Sequence, residues 1–399
     1  MIGYCEKVYG LSKQIVAIVS DPRQEPRIPA PILLKAGLVM FWCRLGSLNA
    51  LEMLGSSRFW RQWLGRSPAS ADTMGRVYAD LDPDDVRKGL RQVYSRLKRN
   101  KALHAIRGWQ VAVLDGHESH ASYRRHCSGC MERIIHAEQG DRVQYYHRNV
   151  TLQLLTPSLR ILLDAEPQRN GEEEVTTAMR LLERVLRTYP RAFTLVLADG
   201  LYAKAPFFNL LLAHRKHALV VLKDEQRNLY KDALGLFTIT PAQQGRYRSR
   251  RCLWWDLPDL TTWPQVNAPV RVIRSQETYR VHRQLTGQVE TITTEWIWAT
   301  TLPIARADTE QAVYLGHRRW DIENYAFNEL VNEWRADHVY KHDPTAIEVF
   351  LLLAFLTYNL FHAFRLLDLK PEFRRGKSQR YWAQLIASEL YQDAEGPAP

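Results

Sequence analysis

Two stretches of the chain, Val111-Ala112-Val113-Leu114-Asp115-Gly116 and Leu195-Val196-Leu197-Ala198-Asp199-Gly200, share one pattern: a short apolar run closed by Asp-Gly. Runs of this kind are expected to be strands, each delivering a carboxylate just past its last apolar residue. If the two strands are parallel neighbours, the aspartates converge on one rim, the place where ligands gather in mixed α/β sheets. Taken singly, each Asp-Gly also fits a simple turn.

The sequence around them predicts the rest of such a sheet. Strand-type sequence covers residues 111–115, 144–155 and 159–164. A helix is expected over 172–188, where Val175, Met179, Leu182 and Leu186 recur at three and four residues. A strand over 193–198, a helix through 207–214 and a strand over 218–222 complete the order. Three strands, a helix, a strand, a helix and a strand predict a mixed sheet with helices on its faces. Residues 246–255, 270–283 and 289–300 are rich in β-branched and aromatic side chains, with Leu285-Thr286-Gly287-Gln288 as a hairpin turn. They read as a β-rich insertion. Helical sequence resumes at Asp308, runs to Trp334, and returns near residues 346–366.

Residues from about 31 to 99 carry helical periodicity, broken at Arg66-Ser67-Pro68-Ala69-Ser70-Ala71-Asp72 by proline and cap-forming residues. The helix opening at Ser70 to Thr73 fits either a helix-turn-helix that enters a DNA groove or a plain packing unit. The expected organisation is a helical, DNA-binding N-terminal region over 1–104 and a first part of an α/β core over 105–223. The β-rich insertion comes next over 224–302, then the second part of the core over 303–368, and a basic, partly disordered tail over 369–399.

A formal charge of +11 and a pI near 9.4 favour a polyanionic partner, because basic side chains on phosphates release condensed counterions. Five scattered cysteines in 399 residues do not make a disulfide framework and fit a reducing cytoplasm. The opening residues lack the apolar core of a signal peptide. The apolar stretch 349–364 is interrupted by Thr357, Asn359 and His362 and falls short of the ~20 residues a membrane span needs, so a buried core helix is expected and no membrane.

A third acid comes from the helix containing Arg318-Arg319-Trp320-Asp321-Ile322-Glu323-Asn324. On a regular α-helix Glu323 shares its face with Arg319, Trp320, Ala326, Phe327, Leu330 and Trp334, while Asp321 lies about 200° away among polar neighbours. Glu323 is therefore expected to point inward and Asp321 to water. A carboxylate on an apolar stripe needs a charged partner: either Arg319, one turn earlier, or a cation shared with Asp115 and Asp199. Three carboxylates give the hard, all-oxygen environment that suits Mg²⁺ or Mn²⁺.

The order Asp115, Asp199, Glu323, the β-rich insertion between the second and third acids, and the helix motif Arg319-Trp320-Asp321-Ile322-Glu323-Asn324 resemble the DDE transposases of IS4-type bacterial insertion sequences. The resemblance covers roughly residues 60 to 365. It implies an RNase H-like core, two Mg²⁺ (or Mn²⁺) ions on Asp115, Asp199 and Glu323, cleavage at transposon ends, and joining of the liberated 3′-hydroxyl to target DNA. It also implies double-stranded DNA as partner, through terminal inverted repeats and target sites, with a dimer on DNA in the bacterial nucleoid. The family's helix runs Y-x2-R-x3-E-x6-K; here Arg319 and Glu323 fit, whereas Gly316 holds the tyrosine position and Leu330 the lysine position. Arg318, Arg335 or Lys341 would have to replace that lysine, and Arg319 remains the expected phosphate-facing guanidinium. Two other outcomes stay open: an endonuclease of the same fold that does not join, and an inactive, transposase-derived DNA-binding protein.

Two further clusters stand out. Cys127-Ser128-Gly129-Cys130 has metal-ligand spacing, with His117, His120, His126 and His136 close in sequence, and reads either as part of a zinc site or as two reduced thiols in a loop. Arg246-Tyr247-Arg248-Ser249-Arg250-Arg251 followed by Trp254 and Trp255 combines charge with stacking surface, so Arg248, Arg250 and Trp254 are expected DNA contacts; the alternative is a charged edge strand.

Overall fold

Side-chain caps start the N-terminal helices where the sequence punctuates them: Ser47, Ser70 and Asp82 each accept a hydrogen bond from the first turn of the helix they precede. The structure is a computed structural model that describes residues 1–138, 140–223 and 228–391. In chain order its elements are α1 (Ile2–Tyr9), α2 (Ala30–Trp42), α3 (Leu48–Met53), α4 (Arg58–Leu64), α5 (Ala71–Asp80), α6 (Pro83–Arg99), β1 (Val111–Ser122), β2 (Met131–Ile135), β3 (Arg142–Leu155), β4 (Arg160–Pro167), α7 (Glu174–Thr188), β5 (Leu195–Ala198) and α8 (Ala205–Ala213). They continue with β6 (His217–Val221), α9 (Asn228–Ile239), β7 (Gln243–Tyr247), β8 (Arg250–Leu260), β9 (Val270–His282), β10 (Val289–Thr300), α10 (Thr309–His317), α11 (Asn328–Asn332), α12 (Pro344–Ala363), α13 (Pro371–Arg374) and α14 (Gln379–Tyr391). This is the mixed α/β architecture with a helical N-terminal region expected of an RNase H-like fold.

The chain forms two compact units. The first comprises residues 1–104, 116–189 and 323–399. Its core is α12, a helix long and apolar enough to cross a membrane but mostly buried inside the protein. It packs against α2, α5, α6 and β4. The polar residues that interrupt its sequence are satisfied internally. Asn359 donates through Nδ2 to the Leu162 carbonyl at 2.8 Å and accepts from Leu162 N at 2.9 Å, so it completes the free side of β4. Thr357 bonds back to the Leu353 carbonyl, and His362 Nε2 meets Glu329 Oε1 at 2.7 Å. β3 pairs antiparallel with β2 through its first residues and with β4 through its last. α7 covers β3 and β4 through Val175, Ala178, Leu181, Leu182, Val185 and Leu186. The buried stripe thus includes Ala178 and Leu181, and the expected Met179 sits at its margin.

The tail carries a folded helix. α14 buries Trp382, Ala383, Ala387 and Leu390 and packs against α2 and α4, so the segment through Tyr391 is folded. Four apolar side chains recurring at helical spacing hold it down. The remaining expectation of disorder concerns residues 392–399, outside the described residues. The outward face of α5 carries Asp72, Arg76 and Asp80, two acids to one base, a poor complement to phosphates. Its other face, Met74, Val77 and Tyr78, is buried, as a packing unit requires.

The second unit comprises residues 105–115 and 190–322. The first residues of β1 pair parallel with β5, and β5 pairs parallel with β6. β6 then pairs antiparallel with β10, followed by β9, β8 and β7. Trp298, Ala299 and Thr300 of β10 face Val221, Val220 and Leu219 of β6, so the β-rich insertion extends the core sheet by its own hydrogen bonds. The turn expected at 285–288 joins β9 to β10, with Gly287 at φ 67.

Candidate functional site

Val111, Ala112 and Val113 pair with Leu195, Val196 and Leu197, so Asp115 and Asp199 occupy equivalent positions two residues beyond the last pair. Adjacent strands lie about 4.8 Å apart, which brings the two aspartates to one level of the unit. Beyond the two Asp-Gly pairs the chain takes different paths. β1 does not end at Asp115 but runs on to Ser122, whereas Gly200 opens a single 3₁₀ turn. Neither glycine has a positive φ. Close approach requires glycine at 116, where a Cβ would collide with the buried Glu174 carboxyl, whereas a Cβ at Gly200 would press only on the flexible Lys223 side chain at 2.9 Å. The dipeptides therefore mark crowding beside the acids and are not hairpin turns.

Asp115 is buried and accepts a hydrogen bond from Arg319 Nη1 at 3.1 Å. The Arg319 guanidinium is itself buried and lies 4.0 Å from the centre of the Trp320 ring. Asp199 Oδ1 caps the 3₁₀ turn by accepting from Leu201 N at 2.9 Å. Lys223, missed in the sequence, runs its alkyl chain past Gly200 and so brings a cation to the Asp199 end of β5. Its position just after β6 was the only available signal. Two carboxylates at one level, ringed by cations, are the donor set that a hard divalent ion takes.

Asp321 is opposite to its expected exposure, and Glu323 is less buried than Asp321. Asp321 is buried and paired with Arg318 at 2.6 Å, while Glu323 is half-exposed. The face calculation assumed 3.6 residues per turn, but Arg318–Trp320 is a 3₁₀ turn and Ile322–Phe327 a π-helix. Tightening and then widening the helix shifts where Asp321 and Glu323 point, although Ala326, Phe327, Leu330 and Trp334 of the predicted face stay buried, and π turns are frequent at functional sites. Asp115, Asp199, Arg318 and Arg319 belong to the second unit, and Glu323 opens the last segment of the first. Arg318 is committed to Asp321.

The departures from the family motif have packing causes. A Cβ at Gly316 would lie 2.7 Å from the Trp298 ring, so a tyrosine has no room against that indole. Leu330 is buried in its own unit and replaces a lysine with packing.

The aromatic and basic cluster divides. Trp254 is buried and donates from Nε1 to Ser275 Oγ at 3.1 Å, with its ring over Gly245, so it is not a stacking platform for bases. Arg250 is held by Glu277 at 2.8 Å, a fully buried carboxylate that also meets His317 Nε2 at 2.5 Å. Burial pushes the Glu277 carboxyl up, but His317, Arg250 and Ser275 outweigh it and hold it below its ordinary value. Arg248 is exposed in the β7–β8 turn at φ 54, and Arg246 and Arg251 are exposed and stand directly opposite each other on β7 and β8. Cys127 and Cys130 gather with His147 of β3, a residue the sequence did not single out because it lies outside the local histidine cluster.

A family model described as the transposase DDE domain matches residues 110–360, more than half of the chain. No curated protein matches it.

Proposed function

The chain belongs to the transposase DDE-domain family, and on that premise we propose that it cuts the ends of an IS4-type insertion sequence and joins the freed 3′-hydroxyl to target DNA. The observation that supports this most is the shared level of Asp115 and Asp199 on adjacent parallel strands, with Arg319 bonded to the first. Asp115 and Asp199 hold Mg²⁺ or Mn²⁺, and Glu323 is the third acid by the family's order. Two such ions, when bound, supply activation of a water or 3′-hydroxyl and stabilisation of the leaving oxygen. The fork of Arg319 suits a non-bridging phosphate oxygen, and Lys223 offers a second cation on the Asp199 side. The partner is double-stranded DNA bearing terminal inverted repeats, bound by a dimer in the bacterial nucleoid.

The test supplies a labelled, precleaved transposon end and a target plasmid in Mg²⁺. Joined product is expected from the native chain, and on the order of 10³-fold less from Asp115→Asn, Asp199→Asn or Glu323→Gln. Cleavage without joining would replace the proposal with an endonuclease. Tight DNA binding with no Mg²⁺-dependent product would replace it with an inactive derivative, the reading that the buried Leu330 favours.

A further inference from the structure

Cys127 and Cys130 close a tight turn in which Cys130 N donates to the Cys127 carbonyl at 3.1 Å and Cys127 N donates to Cys130 Sγ at 3.2 Å. The two sulfurs are free thiols 3.8 Å apart. His147 Nε2 lies 3.3 Å from one and 3.2 Å from the other. A tetrahedral zinc with Zn–S of about 2.3 Å and Zn–N of about 2.0 Å sets two sulfurs about 3.8 Å apart and a sulfur and nitrogen about 3.5 Å apart. The three observed separations therefore outline one face of such a tetrahedron. One imidazole nitrogen carries at most one proton and serves two thiols poorly, whereas one cation serves all three atoms. The backbone N–H on Cys130 Sγ is the kind of outer hydrogen bond that orients a metal-ligating sulfur.

A fourth donor has to come from outside this three-atom cluster. Gly129 packs so closely on Pro344 that an added Cβ would lie 3.0 Å from the proline ring, which sets the turn against the segment carrying His342. Both ring nitrogens of His342 are buried without a hydrogen-bond partner, a costly state for a polar group that metal binding relieves. We propose that Cys127 Sγ, Cys130 Sγ and His147 Nε2 bind a structural Zn²⁺, with His342 turning in as the fourth ligand. The ion fastens the connection between β1 and β2 to β3 and to the start of α12, within one unit and independently of the phosphoryl-transfer site.

Full-length protein purified without chelator is expected to hold about one zinc per chain. Replacement by Co²⁺ should give thiolate-to-metal charge transfer in the near ultraviolet and the intense visible bands of tetrahedral cobalt, a readout that needs no variant. Cys127→Ser, Cys130→Ser and His147→Ala should each lose the ion, and His342→Ala should weaken binding by about tenfold or more. Asp115→Asn/Asp199→Asn should keep it, which separates this site from the catalytic one. Absence of zinc together with a six-coordinate cobalt spectrum would overturn the proposal. So would full zinc content in the Cys127→Ser/Cys130→Ser chain, and native affinity in His342→Ala would remove the fourth ligand.

Discussion

Arg319 and a divalent cation compete for the same oxygen atoms. The guanidinium donates to Asp115 Oδ2 at 3.1 Å in a buried setting, where a charge-assisted bond contributes about 1.5–3 kcal/mol. A metal at Asp115 must weaken that bond, so Arg319→Gln should tighten Mn²⁺ binding by about tenfold or more while lowering strand transfer, because the phosphate loses its fork. Calorimetric titration with Mn²⁺ beside a joining assay reads both signs; weaker Mn²⁺ binding would mean that Arg319 orients Asp115 for the ion. Asp115→Asn should lower joining on the order of 10³-fold with the circular dichroism spectrum unchanged. The aspartates were legible in the sequence because strand register depends only on counting residues. The exposures of Asp321 and Glu323 were not, since a 3₁₀ turn and a π turn between Arg318 and Phe327 shift the helical phase and leave no mark in the pattern of side chains. His147 was missed for a different reason: only the pairing of distant strands brings it to the two cysteines.

Among the elements, α12 shows how polar residues in an apolar run can be structural. Asn359→Ala would leave Leu162 N and O of β4 without their partner, each costing about 1–3 kcal/mol, so a loss of several kcal/mol in urea unfolding is expected. A loss below ~1 kcal/mol would mean that water reaches β4 there. A second case lies between β4 and α7, where Arg180 bonds Glu166 at 2.5 Å and also Glu172. Burial raises the Glu172 carboxyl, but the bonds from Arg180, the Arg169 backbone N–H and Thr177 together outweigh it and hold it down to about 2. A folded value below the unfolded one means stability that is present above the ordinary glutamate range near ~4.3 and lost as pH falls toward about 2. Glu172→Gln should therefore flatten the acid limb of stability across that window and change little at neutral pH relative to that slope. Most of the strand and helix order was readable from apolar periodicity, but the short strand β2 and the helix α9, which opens the region expected to be β-rich, were not. The path of β1 beyond Asp115 and the folding of α14 were not, because both depend on what each segment packs against.

For the whole molecule, a net charge of +11 makes DNA affinity a matter of counterions before sequence. Arg246 and Arg251 sharpen the point: both are exposed and directly opposite on antiparallel strands, an arrangement of like charges that destabilises a sheet in water. A polyanion lying over β7 and β8 would convert that repulsion into attraction, whereas Arg250, tied to Glu277, and Trp254, buried, would contribute little. The double variant Arg246→Ala/Arg251→Ala should therefore unfold at slightly higher denaturant while binding duplex DNA more weakly at every sequence. The slope of log affinity against log salt should become shallower by about 2, close to one counterion for each phosphate that an arginine no longer neutralises. Fluorescence anisotropy across a salt series measures the slope, and chemical unfolding of the same preparations measures the stability. An unchanged slope would assign the pair to a surface that DNA does not touch, and lower stability would show that the two arginines are held apart by their own neighbours.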